Sequence, residues 1–261
     1  MNLFDLKDKI IVVTGGNGQL GRQYVGTIVE HGGTVCVLDR SFDLLKTDKN
    51  IHTFECDITD KTALEKCCEK ILKEFGRIDG LVNNAALDSP PDAPASETGP
   101  FEDYPESSWN KVMDVNVKGT FLCSQVFGKV MADQAEGSII NISSIYGVVS
   151  PDQGLYEYRR QRGEEFYKPV AYSASKSAII NLTKYMATYW GKKGVRVNCL
   201  VLAGVFNNQD DQFLNNYCSR IPMGRMAEED EYNGSIVYLL SKASRYMTGA
   251  TMTVDGGWTA I

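Results

Sequence analysis

The sequence predicts an α/β protein: one doubly wound sheet of about seven parallel strands with helices on both faces, built as a single domain over residues 1–261. Three observations carry this. Short, β-branched and nearly all-apolar runs alternate with longer stretches of helical spacing, the order of repeated βαβ units. Several of those runs lack the apolar/polar alternation of a half-exposed sheet, as strands covered on both faces must. A chain of 261 residues, 43% hydrophobic and 23% charged, is long enough for one large, well-buried core.

The elements follow in order. "KIIVVT" (9–14) reads as the first strand, and "GGNGQLG" turns the chain into a helix over 19–31. "TVCVLD" (34–39) and "HTFECD" (52–57) are the next strands, followed by a helix over 60–75 that Asp57, Thr59 or Asp60 would cap. "IDGLVNN" (78–84) is a strand, 106–133 a helix, "SIINIS" (138–143) a strand, 171–191 a helix and "VRVNCLV" (195–201) a strand. A helix over 228–241 and the strand "TMTVD" (251–255) complete the pattern. Two stretches exceed ordinary βα loops: 87–108, with five of the eight prolines, and 150–169. Both leave the carboxyl ends of strands, where open α/β sheets bind ligands, so they are expected to be lids.

The formal net charge is −6, and no run of Lys or Arg is long enough to track a phosphate backbone, which argues against nucleic acid. The N-terminal stretch lacks the pattern of a signal peptide and no window approaches the ~18 apolar residues of a membrane span, so the expectation is a cytoplasmic protein without a membrane partner. Seven cysteines, mostly within apolar runs, read as buried thiols. With two histidines and no CxxC, no metal site is expected.

In "VVTGGNGQLGRQY", Gly15, Gly18 and Gly21 follow the first strand and open the first helix. There a glycine backbone can approach a pyrophosphate lying on the helix N-terminus. The same glycines also suit a turn that packs helix on strand. Asp39, 24 residues after Gly15 at the end of the second strand, stands where a carboxylate accepts hydrogen bonds from an adenosine ribose. It would repel a 2′-phosphate, favouring NAD over NADP; Arg40 beside it either accommodates that phosphate or is a solvated arginine. Asp57 faces the adenine or caps the following helix.

In "EFYKPVAYSASKSAIINLTKY", Tyr172 and Lys176 stand at i, i+4 and so share a helix face, but Tyr189/Lys193 and Tyr238/Lys242 repeat the spacing. Order along the chain decides between them. With "TGGNGQLG", "NNAA" (83–86), "MDVNVKGTF" (113–121), "INISS" (140–144), "YSASK" (172–176), "RVN" (196–198) and "VDGGW" (254–258) in succession, the sequence resembles the short-chain dehydrogenase/reductase family over essentially its whole length. It is also similar to members associated with bacterial surface-glycan sugars of the legionaminic-acid type. The resemblance implies a Rossmann fold, a nicotinamide cofactor and a homodimer or homotetramer.

It also implies a catalytic tetrad of Asn116, Ser144, Tyr172 and Lys176. Tyr172 would exchange the proton, Ser144 (or Ser143 beside it) would hold the substrate oxygen, Lys176 would favour the phenolate and bind the nicotinamide ribose, and Asn116 would anchor a water. Cofactor contacts are implied at Gly15, Asn17, Gly18, Gln19, Leu20, Gly21, Asp39, Arg40, Asp57, Ile58, Asn84, Ala85, Ala86, Tyr172, Lys176 and the backbone of Val205.

Two features depart from the family pattern. Gln19 replaces a customary glycine, giving a spacing like the family's extended branch, and Ser144 and Tyr172 lie 28 residues apart, more than is usual, the excess being the 150–169 loop. That loop carries Arg159, Arg160, Arg162 and Lys168, which either grip an anionic group of the substrate or form a solvated loop or subunit contact. A third insertion, 204–226, falls where the family keeps its substrate loop. Its Asn207, Asn208, Gln209 and Asp210, with Arg220 and Arg225, suit a polyhydroxylated ligand. The expected activity is hydride transfer between NAD(P) and a secondary alcohol or ketone on a sugar or sugar derivative. Alternatives are a reductase of small ketones or 3-oxoacyl chains, and a non-catalytic NAD-binding regulator.

Overall fold

The computed structural model describes residues 2–88 and 95–261. Seven strands form one sheet: β1 (Ile10–Thr14), β2 (Thr34–Asp39), β3 (Ile51–Glu55), β4 (Gly80–Asn83), β5 (Gly137–Ser144), β6 (Val195–Leu202) and β7 (Thr251–Val254). Their order is β3-β2-β1-β4-β5-β6-β7 and every pairing is parallel. The chain reverses direction across the sheet between β1 and β4, the switch point at which open α/β sheets place ligands. All eight residues of central β5 are buried, whereas edge strand β3 shows alternating exposure.

Alternate side chains of each strand feed two layers. Val12, Leu38, Leu81, Ile139 and Val197 pack under α2 (Lys61–Phe75), α5 (Thr120–Gln134) and α7 (Val170–Trp190). Ile11, Val13, Val37, Ile140 and Leu200 face α1 (Gln19–Glu30) and α9 (Asn233–Leu240). Six of the seven cysteines are buried, packing as small apolar side chains. Among the described residues, no helix is long and apolar enough to cross a membrane.

Four elements differ from the sequence expectation. The helix expected over 106–133 is α4 (Glu106–Met113), a π-helical stretch at Asp114–Gly119, and then α5. The 228–241 helix is shortened to α9, starting after Tyr232. The 204–226 segment contains α8 (Asp211–Cys218), capped by Asp210 on the Phe213 N–H at 2.9 Å. The 150–169 insertion is structured, with a 3-10 turn (Gln153–Tyr156) and α6 (Glu157–Gln161). Of the 87–108 stretch, 89–94 lie outside the described residues; its remainder holds α3 (Ala95–Thr98), a 3-10 turn (Phe101–Asp103) and the start of α4.

A third apolar cluster underlies the insertion: Leu155, Tyr156 and Phe166 pack with Ile145, Val201, Tyr217 and Ile221. It builds up the carboxyl edge of the sheet on the β5–β6 side, the edge at which open α/β sheets form a ligand cleft.

Asp60, one of the three candidate caps, is the N-cap of α2, accepting from the N–H groups of Thr62 and Ala63 at 2.8 and 3.2 Å. Its replacement by alanine should lower stability by about 1 kcal/mol, a fall of roughly 2–4 °C in Tm for a chain of this size. An unchanged thermal midpoint would show that water replaces the cap without loss.

Candidate active site

The glycine turn is shaped by steric need. Gly15 has φ +64°, and a Cβ there would lie 2.8 Å from the Ala85 Cα. A Cβ on Gly21 would lie 2.1 Å from the Gly15 carbonyl oxygen. Between them Gly18 caps α1 with extended backbone and no side-chain hydrogen bond, and the first turn of α1 has no acidic residue, so the N–H groups and positive dipole end face the cleft unoccupied by protein anions. The Thr14 hydroxyl accepts from the N–H groups of both Asn84 and Ala85 at 3.1 Å, and Asn84 Nδ2 donates to the carbonyls of Thr14 and Gly15. The β4 end is thereby fastened to the turn.

Asp39 stands at the end of β2. Its carboxylate accepts from the N–H groups of Asn17 (2.9 Å) and Arg40 (2.7 Å), so it is held at the end of β2 beside the turn. Asn17 itself looks away: its side chain bonds Ser41, Asp43 and the Leu44 N–H, bracing the 41–44 loop. Gln19 reaches across to the Phe206 carbonyl at 3.0 Å. Leu20 is partly buried against the α1-side core. Arg40 and Asp57 are exposed; hydrogen bonds from Thr59, with the charge of Arg40, hold the Asp57 carboxyl below its usual range. Ile58 is buried against the π segment, where a Cβ on Gly119 would lie 2.5 Å from its Cδ1. Ala86 is exposed at the cleft rim. Val205 pairs with Ala227, and its carbonyl accepts from Gln209 at 3.0 Å.

Across the cleft, Ser144 ends β5 and the first turns of α7 carry Tyr172 and Lys176. The two serines divide the work. Ser143 is 2% exposed and donates to the Lys176 carbonyl at 2.7 Å, while the Ser144 hydroxyl accepts from the Tyr146 N–H at 3.2 Å and opposes the rise of the Tyr172 phenol. Lys176, 5% exposed, donates from Nζ to the Ile142 carbonyl at 3.0 Å and stands 5.7 Å from the Tyr172 ring centre. Burial raises the Tyr172 phenol well above its ordinary range; the Asp88 carboxylate adds to the rise and the Ser144 hydroxyl opposes it. Burial also pushes the Lys176 ammonium down to about 8, against the pull of Asp88.

The repeat of the Tyr–Lys spacing shows how little spacing decides. Lys193 stands 5.4 Å from the Tyr189 ring, much as Lys176 stands to Tyr172, but Tyr189 is 58% exposed on the surface. Enclosure separates the two pairs.

Asn116 lies in the π segment, 2% exposed, at a kind of helix irregularity that is frequent at functional sites. Its side chain accepts from the Leu87 N–H (2.7 Å) and donates to the Leu87 carbonyl (3.0 Å) and the Ser175 hydroxyl (2.9 Å). It fastens the loop after β4 to α7 beside Lys176.

Arg159, Arg160 and Arg162 each contact other residues of the insertion. Arg159 pairs with Glu164 at 2.8 Å and lies 4.1 Å over the Phe166 ring. Arg160 bonds Glu157 and the carbonyls of Gln153 and Phe166. Arg162 lies over Tyr158, whose hydroxyl donates to Asp210 at 2.6 Å. Arg220 pairs with Asp152 and Arg225 with Glu231. These contacts tie the insertion together and to the segment that carries α8. The cation the insertion sends toward Tyr172 is Lys168, 4.9 Å from the ring centre and paired with Asp88 at 2.5 Å. Asp88 was not singled out from the sequence; the only signal was the second lysine four residues from Tyr172.

A family model described as enoyl-(acyl carrier protein) reductase matches residues 17–259. The chain belongs to the short-chain dehydrogenase/reductase family. A D-threitol dehydrogenase of Mycolicibacterium smegmatis is 30% identical, the match covering 98% of this chain and 95% of that protein. A short-chain dehydrogenase structure from Leptospira borgpetersenii with bound NAD+ is 31% identical with a TM-score of 0.87, covering 99% and 96% of the two chains. A gluconate 5-dehydrogenase of Burkholderia cenocepacia, in complex with NADP and tartrate, is 25% identical with a TM-score of 0.86 and coverage of 100% and 98%. The uncapped turn, the glycines that tolerate no Cβ and the carboxylate at the end of β2 fit the dinucleotide that this family of oxidoreductases uses.

The buried lysine gives a pH test of the cofactor-free protein. With a folded pKa near 8 and an unfolded value near 10.4, Lys176 binds fewer protons folded than unfolded between those limits, so its penalty on stability is full below pH 8 and relieved as pH rises. The stability of wild type relative to Lys176→Met should therefore climb between pH 8 and 9.5, by roughly 2 kcal/mol at most. Urea melts at both pH values measure the difference; a flat difference would show that the ammonium is solvated.

Proposed function

We propose that the chain transfers hydride between NAD, in preference to NADP, and a secondary alcohol or ketone of a sugar or sugar-derived polyol. The observation that carries this reading is the enclosed meeting of Tyr172, Ser144 and Lys176 at the carboxyl end of β5, facing the uncapped α1 turn. The bound nicotinamide supplies the hydride acceptor or donor.

The chain's own residues handle the proton. In oxidation the Tyr172 oxygen takes the substrate's hydroxyl proton, and in reduction it returns one, while the Ser144 hydroxyl holds the substrate oxygen. A phenol with its pKa raised by burial needs a counter-charge to serve as a base. The Lys176 ammonium, 5.7 Å from the ring centre, favours the phenolate by its positive charge. Tyr172 is partly buried with its phenol raised, so it draws on the Ser144 hydroxyl and a positively charged partner to serve as a base. Asn116 acts as a positioning residue through Leu87 and Ser175.

The preference for NAD rests on Asp39, whose carboxylate is fixed where the adenosine ribose would lie; relatives include both NAD- and NADP-bound proteins. The sugar-like substrate is supported by the threitol and gluconate dehydrogenases among the relatives and by the amide-rich 207–210 segment. Exposed Phe121, Tyr185 and Tyr189 on α5 and α7 support the expectation of a homo-oligomer.

Tyr172→Phe should reduce turnover of a polyol panel by at least a thousandfold while NAD+ affinity changes less than threefold; retained turnover would place the proton relay elsewhere. Asp39→Ala should weaken NAD+ binding about tenfold and narrow its advantage over NADP+. An unaltered NAD+/NADP+ ratio would remove Asp39 from cofactor selection.

A further inference from the structure

The pocket around Tyr172 contains an ion pair contributed by the two long loops, unused by the chemistry above. Asp88 comes from the loop after β4 and Lys168 from the last turn of the insertion, 80 residues on. The partners are unequally placed: the Lys168 side chain is 8% exposed and that of Asp88 is 55%. One nearly buried ammonium thus touches the Asp88 carboxylate at 2.5 Å and the Tyr172 ring face at 4.9 Å, and its charge is consumed by the contact. The more exposed member of the pair is the carboxylate.

Both members are held in place. Lys168 is clamped by the Gln153 side chain, which accepts from its N–H at 2.9 Å and donates to its carbonyl at 3.2 Å. Leu87, immediately before Asp88, is clamped through its N–H and carbonyl by Asn116. The negative charge reaches the site: it raises the Tyr172 phenol and opposes the depression of Lys176, and it acts on Tyr146 and Tyr156. An ion pair that served stability alone gains little from such a setting, since sinking an ammonium beside an aromatic ring costs desolvation that a half-exposed partner only partly returns. Meanwhile Arg159, Arg160, Arg220 and Arg225 are already paired with Glu164, Glu157, Asp152 and Glu231.

We propose that Asp88, fixed by Lys168, sets the charge specificity of the substrate pocket: its carboxylate accepts hydrogen bonds from hydroxyls flanking the reacting carbon of a neutral polyol and repels sugar acids and sugar phosphates. The assignment rests on the polyol reading above and narrows it to uncharged members of that class.

The test measures binding without turnover, by calorimetry on NAD+-loaded Tyr172→Phe protein with xylitol as the neutral probe and xylonate as the acidic one. Xylitol should bind at least tenfold more tightly. Adding Asp88→Asn should bring the two affinities within threefold of each other, and Lys168→Met, which leaves the carboxylate unneutralised, should widen the gap. If xylonate binds as tightly as xylitol, or if Asp88→Asn weakens both ligands equally, the charge assignment is overturned while the polyol reading stands. If neither ligand binds, the polyol reading falls and takes the assignment with it.

Discussion

The candidate site depends on how α7 is locked to β5. Two hydrogen bonds run in opposite directions between them: Ser143 Oγ to the Lys176 carbonyl, and Lys176 Nζ to the Ile142 carbonyl. The backbones can come this close because Gly147 leaves no side chain between them; a Cβ there would sit 2.7 Å from the carbonyl carbon of Lys176. Ser177 adds a third bond, to the Gly147 carbonyl. A helix held so firmly to a strand buried along its whole length presents Tyr172 and Lys176 with little freedom, and a proton relay needs that restriction. The lock also explains why Ser143 and Ser144 are not interchangeable: alternate strand residues face opposite sides, and one side is already spent on the helix.

The same lock sets the electrostatic conditions of the cleft. Lys176 is buried to hold the strand, which depresses its pKa, and Tyr172 is partly buried beside it, where desolvation raises its own. Each shift disfavours charge, so an empty pocket holds a phenol that is a poor base. Ser144, the Asp88–Lys168 pair and a cationic ligand then act on a group already sensitive to them. Asn116 extends the arrangement to the other loop, because the π segment turns its amide inward, where it reaches Leu87 and Ser175 together.

Much of this was legible in the sequence because it is local. Unbroken apolar runs such as "IIVVT" and "TVCVLD" marked strands covered on both faces, and glycines after the first of them marked the turn. The irregular features were less legible. A π stretch keeps the apolar spacing nearly intact, so 106–133 read as one helix. The helix Asp211–Cys218 is rich in amides, and the signal for it was the capping Asp210, read as a ligand residue instead. The arginines of the insertion looked available because their partners, Glu164, Phe166 and Gln153, gain meaning only once the segment is folded. Asp88 was invisible for a stronger reason: its partner lies 80 residues away.

Stacked rings run from the insertion to the segment after β7. Phe166 and Tyr156 meet at 4.8 Å, Tyr156 and Phe213 at 5.7 Å, Phe213 and Tyr217 at 5.3 Å, and Tyr217 and Trp258 at 4.5 Å. The Tyr217 hydroxyl also accepts from the Gly204 N–H at 2.8 Å. Parting the insertion from α8, or α8 from the segment after β7, means breaking this column at some joint. The indole of Trp258 at the column's foot makes its joint with Tyr217 one that intrinsic fluorescence would report.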